Sequence, residues 1–313
     1  MSRDLVGYGT RPPEIVWPNG ARLAVNIAVN LEEGAEHQVG DGDPRSERVG
    51  EFASVVPEGV RDRGQEQFFA YGTRVGVWRF LDALGDARLP ATFWMCGRAV
   101  ARSPRIAAAI ADAGHEAACH GWLWQPHAAY GDRAAEAADL DRTVAAIADA
   151  TGRRPVGFFC RGSESDHTRS LLAERGFLYT SNAFDDDLPY WDDSGLIVLP
   201  YALDTNDARF AHPNGFVRSV ELVEYVDDAL AVLLDEAERG RSAVLSLGFH
   251  LRICGRPARF VAFRAILARL TALGERVWVA PRHAIVSAFA ERVPRGVGTA
   301  LASAGERPTR RPA

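Results

Sequence analysis

Carboxylates, histidines and arginines recur in this sequence at the ends of apolar runs. Glu32 and Glu33 stand together after the alternating run 23–30. His120 follows residues 116–119 and is followed at once by Gly121, which lets neighbouring backbone approach closely. Arg161 follows residues 156–160, and Asp185-Asp186-Asp187 forms an acidic run. His250 and Arg252 follow the apolar run 243–248, with Arg256 four residues farther on. A carboxylate can activate water, a histidine can protonate a leaving nitrogen, and arginines can hold an anionic or carbonyl-rich substrate. Brought to one place, this set suits hydrolysis. Trp124 stands four residues after His120, where a second imidazole could have shared a metal. Neither a Gly-x-Ser-x-Gly elbow nor a Cys/His signature is present, which disfavours nucleophilic catalysis.

Each residue also has a plainer reading. His120 could be a hydrogen-bonded core histidine, and residues 185–187 an acidic turn. Arg252 and Arg256 could be surface charges on the helix that follows. Adjacent Glu32 and Glu33 cannot both face inward on a continuing strand. Trp122 and Trp124 read as structural walls, and His115, His212 and His283 as structural or surface residues.

The elements that would position these groups alternate between strand and helix periodicity. An irregular arm over residues 3–22 precedes the first strand, and residues 35–70 read as one long polar excursion over that strand's end. Helices are expected over 73–84, from Pro104 with Ser103 as cap, and over 132–150, 166–175, 220–239 and 257–273, with a last one after Pro281. Strands are expected at 91–96, 116–119, 156–160, 177–181, 196–199, 243–248 and 276–280. Such alternation over some 270 residues predicts an α/β fold, a parallel sheet closed as a barrel, with an open doubly wound sheet as the alternative. Strand ends then meet at one mouth. The first strand runs into Glu32-Glu33-Gly34 rather than a glycine-rich phosphate loop, which argues against dinucleotide binding.

The chain has 313 residues, 47% hydrophobic, enough for a sizeable core. A formal net charge of -5 gives no basic surface for nucleic acid. The four cysteines are scattered without a CxxC pair, which fits a reducing compartment, and no apolar run approaches a membrane span. The N-terminus has no apolar signal segment. The expectation is a cytoplasmic protein with no membrane or nucleic-acid partner. One domain should cover residues 1–293, followed by a disordered tail over 294–313.

The motifs Asn30-Leu31-Glu32-Glu33-Gly34, His120-Gly121-Trp122, Asp186-Asp187-Leu188-Pro189-Tyr190-Trp191, Leu203-Asp204-Thr205-Asn206-Asp207 and His250-Leu251-Arg252 through Gly255-Arg256-Pro257 resemble the polysaccharide-deacetylase superfamily. Within it, the chain is similar to the bacterial metal-independent allantoinases and related cyclic-amide hydrolases, from about residue 3 to 290. The resemblance implies a distorted β/α barrel of the NodB-homology type that hydrolyses a non-peptide C–N bond. It implies that Glu32 and Glu33 take the places of the catalytic base and a metal-binding carboxylate, that His250 is the general acid, and that His120, Trp124, Arg161, Asp186, Arg252 and Arg256 contact substrate. No metal is favoured, because Trp124 stands where the second metal histidine would be. Zinc stays open only if His127 joins Glu33 and His120, since three protein ligands are the usual minimum. Cys160-Arg161-Gly162 departs from the allantoinase order and puts allantoin itself in doubt. The substrate class is a small cyclic amide (allantoin, hydantoin or imide), and a homo-oligomer is implied. The rivals are a metal-dependent N-acetyl deacetylase and a non-catalytic ureide-binding barrel.

Overall fold

A computed structural model describes residues 4–49, 53–201 and 203–295. Its strands are β1 (Leu23–Leu31), β2 (Thr92–Met95), β3 (Glu116–Cys119), β4 (Gly157–Phe158), β5 (Tyr179–Thr180), β6 (Tyr190–Trp191), β7 (Ile197–Val198), β8 (Ala243–His250) and β9 (Val277–Val279). Its α-helices are α1 (Arg63–Tyr71), α2 (Val77–Ala87), α3 (Gly97–Arg102), α4 (Pro104–Asp112), α5 (Arg133–Thr151), α6 (Thr168–Glu174), α7 (Ser219–Glu238), α8 (Pro257–Leu273) and α9 (Arg282–Arg292).

Strand β1 is the axis of the molecule, buried over all nine residues. It pairs in parallel with β8 along one edge; its other edge is shared by β9 at Leu23–Val25 and β2 at Ala28–Leu31. Its alternation sorts the two faces. Leu23, Val25, Ile27, Val29 and Leu31 join the outer core beneath the helices, with Phe80, Phe249 and Phe263. Ala24 and Ala28 turn inward, and with Ala118 they leave room for Trp94, Phe159, Tyr179 and Tyr201.

The sheet runs β6-β7-β5-β4-β3-β2-β1-β8, parallel except for β6 on β7. Irregular chain closes the gap between its edges. Asn206 bridges to Gly248, Gly248 N donates to Thr205 O (3.0 Å), and Val244 N donates to Asp187 O (2.8 Å). A Cβ on Gly248 would strike Asn206 and the Tyr201 hydroxyl, so glycine is what lets this segment lie on β8. The result is a curled, incompletely hydrogen-bonded barrel, the distorted β/α barrel expected from the sequence.

The structure differs from the sequence reading in instructive places. The excursion ends at residue 62 rather than 70. Asp62 caps α1 by accepting from Gln65 N, and a π-helical turn at Gly72–Gly76 carries the helix on into α2. The polar first turn of α1 hid its start; Gly72 and Gly76 are close-approach points, where a Cβ would strike Glu33 and Leu251 O. Helix α3 follows β2 directly, and Ser103 makes no side-chain cap bond to α4. Strands β4, β5 and β7 are two residues each, because the sheet there pairs only briefly. Among the described residues no helix is long and apolar enough to cross a membrane. The expected tail lies, beyond Arg295, outside the described residues.

Candidate active site

Register sets the site. Asn30 on β1 lies beside Trp94 on β2 and beside His250 on β8, and all three face the barrel interior. One inward step farther up, past the last paired residues, come Glu32, His120 and Arg252. Four of these six side chains can carry charge, and each of the six is at most 8% exposed.

Glu32 is the hub. Its Oε2 accepts from Arg252 Nη1 at 2.6 Å, and its Oε1 lies 3.3 Å from His120 Nε2 and 3.5 Å from His250 Nε2. Burial alone would push this carboxyl up; Arg252, then His250 and His120, overcome it and hold it well below the usual carboxylate range. His250 Nδ1 lies 2.6 Å from Asp207 Oδ1, and Asp207 Oδ2 accepts from the backbone N of His250 (2.9 Å) and of Cys254 (3.1 Å). Asp207 accepts through both oxygens, so Nδ1 carries a proton and Nε2 is the reactive nitrogen. Burial opposes the imidazolium, but the negative charges of Glu32 and Asp207 raise the His250 pKa above its ordinary value. His120 Nδ1 donates to Phe159 O at 2.6 Å, with its ring stacked on Phe159, which likewise turns Nε2 toward the site.

Glu33 has turned sideways. Its Oε2 accepts from Glu32 N, and its Oε1, 3.6 Å from Arg252 Nη1, has no hydrogen-bond donor. A Cβ on Gly72 would strike this carboxylate, so the π-helical turn makes room for it. Burial raises Glu33 to about 7, with Arg252 opposing and Glu32 assisting. Glu36 lies close by and is also raised by burial to about 7. Arg252 lies over Phe69 (4.4 Å) and Trp124 (4.9 Å), and its Nε is unpartnered. Residues 34–47 lie against this mouth. Arg98 binds Gly34 O, Glu36 O and Asp43, Arg102 binds Asp41, and Trp124 N donates to Ala35 O.

Of the residues expected at the site, the structure brings together Glu32, Glu33, His120, His250 and Arg252, with Trp124 as a wall. Four others need correction. Arg161 is spent on Glu47 (2.7 Å) and lies 3.8 Å over the Trp124 ring, so it meets the cluster only through that indole. Arg256 caps α8 and lies 3.7 Å over Tyr71, at the rim. Asp186 accepts from Leu188 N near Gly7 and lines a separate cavity of about 300 Å³ at the barrel seam with Asp187, Asp204 and Ser246. His127 is on the wrong side of the sheet. It packs on outward Phe158, with Nδ1 3.0 Å from Glu136 and Nε2 3.6 Å from Asp139, whereas His120 packs on inward Phe159.

The site therefore does not suit a zinc centre. Glu33 and His120 lack a third ligand, an indole stands at Trp124, and the Arg252 guanidinium already lies against Glu32 and Glu33. Among the described residues no group of three metal-binding side chains is found. The sequence reading passed over Asp207, although it closes the quoted Asp204-Thr205-Asn206-Asp207 motif. It also passed over Glu36 and Glu47, which carried no signal beyond their charge.

A model of the family described as "Polysaccharide deacetylase" matches residues 66–180. A "Putative polysaccharide deacetylase" of Schizosaccharomyces pombe is 32% identical over 94% of this chain and 98% of its own length. Among solved structures, a "probable Polysaccharide deacetylase" from Pseudomonas aeruginosa PAO1 is 36% identical with a TM-score of 0.89, and a PuuE allantoinase is 36% identical with a TM-score of 0.88. Each of these two covers 94% of this chain and 99% of its own.

Proposed function

The chain belongs to the polysaccharide deacetylase family, and from that premise we propose that it opens a cyclic amide ring by a mechanism that needs no metal. It is a hydrolase of carbon–nitrogen bonds other than peptide bonds. The observation that carries the finer reading is Arg252, a buried guanidinium between Glu32 and Glu33 and backed by Trp124. It supplies the permanent positive charge that a deacetylase of this family would take from its metal. The likeness over nearly the whole chain to a PuuE allantoinase supports the same reading.

In this mechanism Glu32, ionised at rest, takes a proton from water as the water oxygen bonds to a ring carbonyl carbon. The carbonyl π electrons move onto oxygen, and the free Arg252 Nε–H is the donor available to that oxyanion. As the carbonyl re-forms, the ring C–N bond breaks, and His250 Nε2–H gives its proton to the departing nitrogen. Asp207 keeps the Nδ1 proton in place throughout. His120 Nε2 faces the same carboxylate and helps hold the water or the carbonyl. Arg252, His120 and His250 all contact Glu32 at rest, and these contacts must loosen as water and substrate enter.

The test is a ring-opening assay on hydantoin, succinimide, glutarimide and allantoin, with acetate release from N-acetylglucosamine oligomers as the comparison. Opening of at least one ring with no acetate release is the expected result. Acetate release without ring opening would favour the deacetylase reading, which the names of the Schizosaccharomyces and Pseudomonas relatives support.

A further inference from the structure

One row below Glu32 and Arg252, two buried polar atoms lack partners. Trp94 is 0% exposed and its indole Nε1–H has no acceptor; Asn30 is 1% exposed and its Oδ1 has no donor. Unpaired polar atoms at such depth are uncommon and call for an explanation. The amide of Asn30 is not free to turn over. Its Nδ2 donates to Phe249 O at 2.9 Å, and a carbonyl only accepts, so Oδ1 must stay on the opposite side. Trp94 and Asn30 are register partners on adjacent parallel strands, both facing inward, and His250 on β8 flanks Asn30 on its other side. Neighbouring strands lie about 4.8 Å apart. An unpaired donor and an unpaired acceptor thus stand on register partners of adjacent strands, with the proposed general acid flanking the acceptor.

Resting on the ring-opening reading, we infer that Trp94 and Asn30 form the substrate-recognition pair, selecting rings that present C=O and N–H on one edge. Trp94 Nε1–H donates to a ring carbonyl, and Asn30 Oδ1 accepts from the adjoining ring N–H. In a five- or six-membered imide or hydantoin the ring forces the amide cis, so both groups point the same way. An acyclic amide such as an N-acetyl group is trans, because its cis form is strongly disfavoured, and it points them apart. The pair therefore favours cyclic over acyclic amides and N–H over N-alkyl rings.

The experiment measures kcat/KM for succinimide and N-methylsuccinimide with the parent, Trp94→Phe and Asn30→Ala, alongside thermal midpoints. Asn30→Ser serves where Asn30→Ala does not fold. The parent is expected to prefer succinimide by tenfold or more. Asn30→Ala should lose about tenfold on succinimide and little on the methylated ring, so the preference collapses, while Trp94→Phe should lose about tenfold on both. A purely structural role would lower both substrates together in Asn30→Ala and leave the preference intact; that result, or Trp94→Phe at parental rates, overturns the inference. If the parent opens neither these rings nor the others, the ring-opening reading fails first and takes this pair with it.

Discussion

Among the described residues two arginines are buried in this barrel, and they are opposites. Arg282, at the floor, donates to Ser181 Oγ, Asn26 Oδ1, Ser246 Oγ, Leu199 O and Pro200 O, all neutral acceptors, at 2.7–3.2 Å. Burial lowers its pKa, and no carboxylate touches it. Arg252, at the mouth, spends one nitrogen on Glu32 and leaves Nε unpaired; burial opposes its charge, but Glu32 and Glu33 raise its pKa. The floor is a satisfied network that ties β1, β8 and the chain after β7 to the start of α9. At the mouth, charge is concentrated and partners are missing. Incomplete satisfaction at depth separates the chemical end of this barrel from the structural one.

The sharpest way to break that contrast is at His250. His250→Asn should lower kcat/KM by about 10²–10⁴ on the true substrate, the range for one positioned proton donor, with an unchanged unfolding midpoint. Parental rates would remove His250 from the mechanism. At the floor the effect should fall on stability. Arg282→Met removes a donor from five acceptors, of which Pro200 O keeps Ser246 Oγ, and should cost on the order of 3–5 kcal/mol in denaturant unfolding, with kcat per folded molecule retained. A stable but inactive Arg282→Met would merge the two ends into one functional unit. Arg252→Lys should keep the fold and lose roughly tenfold in rate, since an ammonium cannot reach Glu32 and Glu33 with the same fork.

The smallest expected effect is a pH dependence. Glu33 is raised from 4.5 to about 7, so the folded state holds its proton more tightly than the unfolded chain does. Its contribution to stability is therefore fully present below pH 4.5 and is lost as pH rises through about 7. Glu33→Gln should flatten that decline and delete an inflection near pH 7 from the rate profile. An unaltered profile would assign the inflection elsewhere, with Glu36 the next group to change.

Much of the mouth was legible in the sequence because barrel strands end there. Glu32, His120, His250 and Arg252 each follow an apolar run closely, and parallel pairing carries strand ends to one place. Which way a residue faces was less legible wherever the strand stops. His127 follows Pro126 in a loop, so no alternation tells its side, and it pairs with Glu136 and Asp139 of α5. Asp186 and Asp207 both stand in quoted motifs, and only the fold shows that Asp207 reaches His250 while Asp186 reaches the seam. Arg161 looked free because its partner Glu47 lies 114 positions earlier in the chain. The start of α1 was hidden because its buried face, Gln65, Phe68 and Phe69, holds only two apolar residues and follows a polar first turn capped by Asp62.

The central claim is that Arg252 and Trp124 replace a metal. The direct measurement is zinc content and ring-opening activity of the parent and of Trp124→His, before and after prolonged chelation. The account predicts a parent with substoichiometric zinc whose activity survives chelator unchanged, and a Trp124→His variant that gains zinc affinity through Glu33, His120 and the new imidazole. Stoichiometric zinc in the parent, with activity abolished by chelation and restored by zinc, would contradict it.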